Sequence, residues 1–370
     1  MNPKNHHYIP QSYLKHFAFR EKTKKGKHEY YVYVRLAGKE FQTNIRNICS
    51  ENYFYTIPNI DEKKKTIIEI YYAENIDSLY PKIYDLVTND SLTEISDHQR
   101  IMVLVGCISL YFRTPAFNKI LNEHYVQLLK DLHSYFFGYS ERSYSYFFGK
   151  KIDLKNIDYN QFRRGIVEEN KIVFLMDHLK LFNQYVDYRK DDGIGITKNV
   201  DDSQFITSDN PVCIRNMYTG EFHNLFDINN IITLPINHKY LLTITPKFDN
   251  SLKGTFSRIS GNLLDTLISN HSVEQNSEKW IIGTPESIKN HIRDQIIYNE
   301  ETPENLKMLE DMKERARILN EFDCFRMSQG GLVNDAVILK FLEISEMEVM
   351  KDDPNVKRLL DRFREQGLIK

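Results

Sequence analysis

The amino-acid sequence predicts an α+β protein with a predominantly helical core and short antiparallel strands. The first observation is a long central part, about 62–187, in which apolar residues recur at the three- and four-residue spacings of helices. The second is that strand-like runs lie outside this part. They are alternating, aromatic and β-branched at 28–56, and short and broken by Asn, Pro and Gly at 200–283. Helices and strands in separate parts of a chain are typical of the α+β class.

The N-terminal stretch "NHHYIPQSYLKHF", residues 5–17, leads into a first helix. Pro10 pre-sets the φ angle of a first helical turn, which predicts a helix from about 10 to 18. In the segment that follows, Gly38 marks the turn of a predicted hairpin, and "ENYFYTI" adds a short strand. These strands make up the predicted N-terminal hairpin region, 28–56.

The helical core, 62–187, begins with a helix predicted over about 62–88. One face of it carries a series at spacings of three and four: Glu69, Tyr72, Ile76, Leu79, Ile83 and Leu86. Ser96 caps a second, almost entirely apolar helix that ends before Pro115, because the residue before a proline disfavours the helical conformation. Further helices are predicted at about 116–137 and 158–187.

The last part of the chain completes the predicted domain organisation. The β-rich part, 200–283, is expected to form a second small sheet around 204–283. No clean linker interrupts the chain before about 300, so residues 1–299 are predicted to form a single compact α+β domain. Helical patterns continue beyond it, and residues 300–370 are predicted to be a helical C-terminal extension.

Charge is unevenly distributed along the chain. The formal net charge is −2, which by itself favours no polyanion as a partner. Residues 1–50, however, carry ten Lys and Arg against three acidic residues, a local charge of about +7. The densest run includes Lys24, Lys25 and Lys27. This run is either a solvated loop or a binding surface for the phosphates of nucleic acid.

Cysteine usage and hydropathy favour a cytoplasmic protein. The four cysteines lie far apart and form no C-x-x-C pair, which fits neither a disulfide framework nor a structural zinc site. No apolar run follows the start of the chain, so no signal peptide is expected. The most apolar stretch, 101–112, is too short to cross the ~30 Å hydrocarbon layer of a membrane. We therefore expect a cytoplasmic location without membrane association.

Two adjacent histidines, His6 and His7, precede the first helix. A helix N-terminus carries free N–H groups and a partial positive charge, so neutral imidazoles beside it could serve a metal ion or a scissile phosphate. Alternatively one histidine packs and the other is solvated, because adjacent side chains point apart in an extended chain.

Two further positions combine charge with burial. Arg113 closes the apolar second helix, and Glu74 interrupts the helix at 62–88. The two could form a structural ion pair, or Arg113 could bind a phosphate beside a carboxylate that acts as a base.

Asp209 and Asn210 precede Pro211 in "TSDNPV", a sequence that suits a tight turn. A carboxylate at a strand end is also where metals are bound or protons removed.

Several segments in this order resemble a bacterial family of uncharacterised proteins, the domain-of-unknown-function family 4238. They are "NHHYIPQSYLKHF", "YYAENIDSLYPKI", "RTP", "FITSDNPV", "TLPINHKYLL" and "ISNHSVEQNSEKWIIG". The resemblance runs from about 5 to 283. It implies recurrent polar positions at His6, His7, Glu74, Arg113, Asp209, Asn210 and Asn270, and no established reaction.

The leading hypothesis places His6, His7, Glu74, Arg113 and Asp209 in one catalytic pocket for phosphodiester hydrolysis. His7 and Asp209 would hold a divalent cation, Mg²⁺ or Mn²⁺, or activate water. Arg113 would neutralise the phosphoryl charge, and the other histidine would protonate the leaving oxygen. Nucleic acid would be the partner, and a toxin-like or phage-defence effector the context.

A second hypothesis uses the same residues without turnover. The pocket would bind a nucleotide or an anionic metabolite, with Asn210 and Asn270 among its binding residues. The aromatic "SYFFG" repeats at 134–149 would then bind a protein partner or a second copy of the chain. In a third, the charged residues form an internal ion-pair network.

Overall fold

The architecture is that of an α+β protein, as the sequence predicts. In a computed structural model, the chain is described over residues 5–22, 26–36, 38–56, 66–121, 123–124, 127, 130–131, 144–147, 150–153, 178–217, 219–246, 254–329, 334–351, 354–365 and 367–369.

The N-terminal segment is a short strand followed by a short helix. Strand β1 (Asn5–His7) pairs antiparallel with β5 (Ser50–Asn52). Helix α1 (Gln11–Leu14) continues into a 3₁₀ turn, Lys15–Phe17. The predicted helix is thus correctly located, but only four of its residues are α-helical.

The first large sheet joins the two ends of the family-like region. Its order is β2 (Phe19–Lys22), β3 (His28–Leu36), β14 (Ile281–Gly283) and β9 (Thr207–Ser208), and β4 (Lys39–Asn44) pairs with β3 through the turn at Gly38. Two short strands of the region around 204–283, β9 and β14, belong to this first sheet, whereas the second small sheet expected in that region is formed by other strands. Hydrophobic alternation identifies strands but does not specify that residue 281 pairs with residue 35, 281 − 35 = 246 positions away.

The second large sheet has the order β10 (Cys213–Asn216), β11 (Asn230–Pro235), β12 (Tyr240–Thr245), β8 (Gly193–Asn199) and β13 (Phe256–Gly261). Its pairs are antiparallel except for β13 and β8, which run parallel. Strands joined by short turns can pair only in antiparallel fashion, whereas the parallel pair of β13 with β8 is connected by a longer stretch of chain.

The helical part contains α2 (Ile67–Asn75), α3 (Tyr80–Thr88), α4 (Asp97–Phe112), α5 (Pro115–Leu121) and α6 (178–189). The helix predicted over about 62–88 is broken between α2 and α3 by a 3₁₀ turn, Asp77–Leu79. Pro81 explains the break, because its ring clashes with the carbonyl of the residue four positions earlier in a continuous helix.

Helix α4 lies at the centre of the hydrophobic core. Ser96 caps it in a capping box with Gln99. Val103, Leu104 and Ile108 are buried on it. Among the described residues, no single helix is long and apolar enough to cross a membrane, and α4 and α5 qualify only as a pair bent by 67°.

Toward the C-terminus the chain is helical apart from β13 and β14. The helices are α7 (Leu263–Asn276), α8 (Pro285–Asn299), α9 (Pro303–Ser328), α10 (Asp335–Ser345) and α11 (Pro354–Glu365). Helices α9 to α11 share a hydrophobic cluster that includes Phe322, Phe341 and Phe363. The division into 1–299 and 300–370 stays a prediction.

The aromatic repeats at 134–149 fall mostly outside the described residues. The described part contains β6 (Tyr144–Phe147) and β7 (Lys150–Asp153), which form an antiparallel hairpin. Tyr144 and Tyr146 are exposed on it.

Candidate functional site

The two adjacent histidines point to different environments, because successive residues of a strand face opposite sides. His6 is completely buried, and its Nδ1 accepts a 3.1 Å hydrogen bond from the backbone N–H of Tyr55. The His6 ring stacks on the Tyr55 ring at 6.1 Å between centroids. The geometry of His6 is that of a packed residue that positions the chain around Tyr55.

His7 is only half-buried, with its Nε2 atom 3.5 Å from Nε2 of Gln11. Burial lowers the pKa of His7, a hydrogen bond with the backbone of Arg46 opposes this, and the positive charge of Arg113 lowers the pKa further. The imidazole is therefore neutral near pH 7 and can accept a proton. The expected help from a helix N-terminus is weak, since the four residues of α1 align few peptide dipoles.

Arg113 directly follows the last residue of α4, and its guanidinium group contacts several other residues of the chain. Its Nη1 lies 2.5 Å from Oδ1 of Asp77, and its Nη2 donates a 2.8 Å hydrogen bond to the carbonyl of His7. Its Nε lies 3.3 Å from the hydroxyl of Tyr55, and the guanidinium carbon lies 4.4 Å from the ring centre of Tyr72. Arg113 thus fixes the backbone of His7 and has its hydrogen-bonding capacity largely occupied.

The carboxylate that pairs with Arg113 is Asp77, and the expected pairing with Glu74 is wrong. The Glu74 side chain is exposed near the end of α2, whereas Asp77 lies in the 3₁₀ turn that separates α2 from α3. The helix break turns Asp77 toward Arg113. Pro81 was the signal in the sequence, since a proline there places the break at residue 77.

Glu69 on α2 is a site residue that the sequence reasoning did not select. It is half-buried, and its Oε2 atom is buried without a hydrogen-bond partner among the described residues. Burial raises the pKa of Glu69 to about 7, Arg113 opposes this and Asp77 adds to it. The signal was a carboxylate on the same helical face as Tyr72, which is buried.

Asp209 follows β9 and is bonded to the backbone of a neighbouring turn. Its Oδ1 accepts from the N–H of Glu278 at 3.0 Å, and its Oδ2 accepts from the N–H of Lys279 at 2.9 Å. Burial raises the pKa of Asp209, and these backbone hydrogen bonds lower it. The negative charge also helps to raise the pKa of the buried Tyr8, the neighbour of His7 in sequence. The Asp209 carboxylate thus bonds to the backbone of a segment distant in sequence, and not within the tight turn that "TSDNPV" suggests.

The asparagines implied by the resemblance also bond to backbone groups. Asn210 donates to the carbonyl of Asn276 at 3.0 Å, and Asn276 donates in return to the carbonyl of Asn210 at 2.7 Å. Asn270 accepts from the N–H of Ile206 and donates to the carbonyl of Gln204, both at 2.9 Å. We define Asp209, Asn210 and residues 276–280 as the Asp209 turn.

The basic N-terminal run is described only in part. Lys27 is exposed, whereas Lys24 and Lys25 lie outside the described residues. Nearby, Lys15 and Arg20 lie over the ring of Tyr30, at 5.0 and 5.1 Å from its centre.

The expected metal site at His7 and Asp209 has no group of ligands around it in the described part of the chain. No set of three or more His, Cys, Asp or Glu side chains that could hold a metal ion occurs there. The residues present do not make a coordination shell, so no step of a reaction is derived through a metal.

Four residues nevertheless interact, and we call them the Arg113 cluster: Arg113 bonds to Asp77 and to the carbonyl of His7, and the charges of Arg113 and Asp77 act on Glu69. The chain is therefore an α+β protein in which this cluster combines a buried arginine–carboxylate pair, a neutral histidine and a carboxyl group of raised pKa. The chain belongs to the family described as "Protein of unknown function (DUF4238)", whose model matches residues 5–287. No curated protein and no solved structure matches it.

Proposed function

We propose that the Arg113 cluster is the acid–base site of a hydrolase that cleaves phosphodiester bonds in nucleic acid. The observation that carries this proposal is Glu69, a half-buried carboxyl group with an unbonded oxygen and a pKa of about 7. Carboxyl groups with strongly shifted pKa values are concentrated at functional sites. Burying a charge without a partner costs stability, so such groups are uncommon elsewhere.

The two titrating members of the cluster have complementary protonation states. At pH 7 His7 is neutral and can remove a proton from water, while protonated Glu69 can give one to the leaving oxygen. Water then attacks phosphorus, the bond from phosphorus to the leaving oxygen breaks, and one proton is lost and one gained by the protein. Arg113 is a positioning residue here, because its guanidinium bonds to Asp77 and to the backbone of His7.

Positively charged side chains that could attract the phosphate groups of nucleic acid lie in the same N-terminal region as His7. The His7 side chain bonds to the backbone of Arg46, whose own side chain is two-thirds exposed, at 66%. Together with Arg20 and Lys27, both exposed, Arg46 supplies cations to attract phosphate groups. The ion pair of Arg46 with Glu29 is long, at 3.7 Å, and largely exposed, so Arg46 replaces Arg113 as the candidate for neutralising the phosphoryl charge.

The test compares two glutamates of the same helix. Wild-type protein, Glu69→Gln and Glu74→Gln are incubated with end-labelled RNA and DNA at pH 6–8, with Mg²⁺, Mn²⁺ or EDTA. We expect cleavage by the wild type and by Glu74→Gln, and a loss of about 10²- to 10⁴-fold in Glu69→Gln. The EDTA arm decides whether a divalent cation takes part.

Two results would contradict the proposal. One is intact nucleic acid under every condition with folded wild-type protein. The other is equal cleavage by Glu69→Gln and the wild type, because the raised pKa of Glu69 would then have no part in the reaction.

A second candidate is a binding module for a nucleotide or an anionic metabolite. It is favoured by the ion pair of Arg113 with Asp77, which is a stable arrangement without any substrate. Exposed Tyr144 and Tyr146 would then contact a protein partner or a second copy of the chain. Binding of a nucleotide without turnover, abolished in Glu69→Gln, would select this function.

We place the protein in the cytoplasm, where its buried cysteines Cys49, Cys107 and Cys213, which are free, would stay reduced. A nuclease activity there would suit a toxin-like or phage-defence effector. Slower growth of bacteria that produce the wild type, but not Glu69→Gln, is the expected result.

A further inference from the structure

A cavity that shares no residue with the Arg113 cluster lies between α8 and the turns that follow β8 and β11. Its volume is about 800 Å³, within the range of roughly 300–1,000 Å³ found for small-molecule sites. The turn after β8 contributes residues 201–204, and the turn after β11 contributes His238 and Lys239. Part of its wall lies on α8 beyond the family match, which ends at residue 287.

Helix α8 presents a polar face to this cavity. Glu286, Asn290 and Asp294 recur every four residues and line it, so they lie on one side of the helix. Ile288 and Ile292, on the other side, belong to a separate hydrophobic cluster. The polar side of α8 therefore borders a cavity.

The cavity wall carries a paired carboxylate, Asp294, and one buried oxygen atom, of Gln204, that has no hydrogen-bond partner among the described residues. Asp294 is only 7% exposed, and its Oδ1 takes both bonds from Arg293. Its Oδ2 accepts none among the described residues. The Oε1 atom of Gln204, a residue that also lines the cavity, is buried without a partner. A buried acceptor of this kind is normally satisfied, so Gln204 Oε1 needs a donor in the cavity, and the second oxygen of Asp294 can accept another.

His238 adds a further acceptor. Its Nδ1 lies 3.3 Å from the carbonyl oxygen of Phe205, to which only a protonated Nδ1 can bond. The other nitrogen, Nε2, is then a lone-pair acceptor, and burial lowers the pKa of His238 so that the ring stays neutral.

The formal charge of the lining is negative. Asp201, Asp202, Glu286 and Asp294 oppose Lys239 and Arg293, which gives −2 with a neutral His238. The surplus of acceptors and negative charge excludes a phosphate-bearing ligand and favours one with several cationic donors.

We propose that this cavity binds an aliphatic polyamine, whose ammonium groups donate to Glu286, Asp294 and Gln204. The site is separate from the Arg113 cluster and does not rest on the proposed hydrolase activity. A polyamine is the ligand class that supplies donors at several points along one narrow chain without adding acceptors.

Spermidine is the probe that tests this proposal, by calorimetric titration of the full chain. The wild type is expected to bind one spermidine, and Glu286→Gln about 10- to 100-fold more weakly, the loss of one charged hydrogen bond. Glu301→Gln removes the same charge just after α8, at an exposed position outside the cavity, and is expected to bind like the wild type.

Gln204→Leu separates a binding role from a structural one. Because the substitution removes an unbonded acceptor, the thermal midpoint without ligand is expected to stay or rise, while spermidine binding weakens. The proposal is overturned if spermidine does not bind at millimolar concentration, or if Glu286→Gln binds it as tightly as the wild type does. It is also overturned if Mg²⁺, at a concentration that supplies the same positive charge, displaces labelled spermidine as well as unlabelled spermidine does.

Discussion

The Arg113 cluster and the Asp209 turn both bury charged side chains at positions that the sequence singles out. They differ in whether every carboxylate oxygen has a hydrogen-bond partner. In the Asp209 turn each carboxylate oxygen accepts a backbone N–H, from Glu278 and Lys279. In the Arg113 cluster the ion pair is complete, but one oxygen of Glu69 has no hydrogen-bond partner in the part of the chain that the structure describes. Buried charge alone therefore does not identify a functional site. A buried group that lacks hydrogen bonds and also has a shifted pKa, as Glu69 does, is the stronger indication.

The largest expected effect is the loss of Arg113. Arg113→Met leaves Asp77 and the carbonyl of His7 without their donor, and breaking a buried pair in this way typically costs about 3–5 kcal/mol. Since Asp77 is partly exposed, with 26% of its side chain accessible, we expect the lower end of that range. Urea unfolding measures the change. Arg317→Met, at an exposed ion pair on α9, should leave the midpoint unchanged.

A smaller loss is expected in the Asp209 turn. Asp209→Asn replaces one acceptor by a donor opposite a backbone N–H, which costs about 1–3 kcal/mol of unfolding free energy. Cleavage per folded molecule should stay at the wild-type level. A loss of cleavage with unchanged stability would instead make Asp209 part of the site and remove the contrast between the two regions.

The smallest expected effect has the opposite sign. The pKa of Glu69 is raised from 4.5 to about 7, so the folded protein binds its proton more tightly, and the stability this confers is lost as the pH rises through about 7. At pH 8 the ionised group therefore destabilises the fold, by roughly 1–2 kcal/mol after allowance for solvent screening.

Glu69→Gln removes this cost. Its thermal midpoint should exceed that of the wild type at pH 8, and the difference should shrink at pH 5, where Glu69 is protonated. Glu74→Gln, on the same helix, should show no such pH dependence. A lower midpoint for Glu69→Gln at pH 8 would mean that the carboxylate is stabilised by a partner.

Much of the fold follows from local patterns in the sequence. The helix cap at Ser96, the hairpin turn at Gly38 and the α+β class depend on neighbouring residues, and all are present. The pairing of β14 with β3 depends on contacts between residues 281 and 35, which no local pattern specifies. The second sheet predicted around 204–283 is present, but the sequence did not indicate that β9 and β14 leave it to join the N-terminal strands.

The candidate site was predictable only in part. His7 and Arg113 were selected and do interact, through the carbonyl of His7. Asp77 was missed because the helix was drawn through the break that Pro81 imposes. Glu69 was counted within the regular face of its helix, but its chemistry depends on how far the surrounding packing excludes water, which spacing does not reveal.

The most direct measurement is a titration of the glutamate side chains by NMR in protein labelled with ¹³C-glutamate. The signal absent from Glu69→Gln identifies Glu69. We expect this carboxyl group to titrate near pH 7. A Glu69 midpoint below pH 5 would contradict the account, because the cluster would then hold no group able to donate a proton at neutral pH.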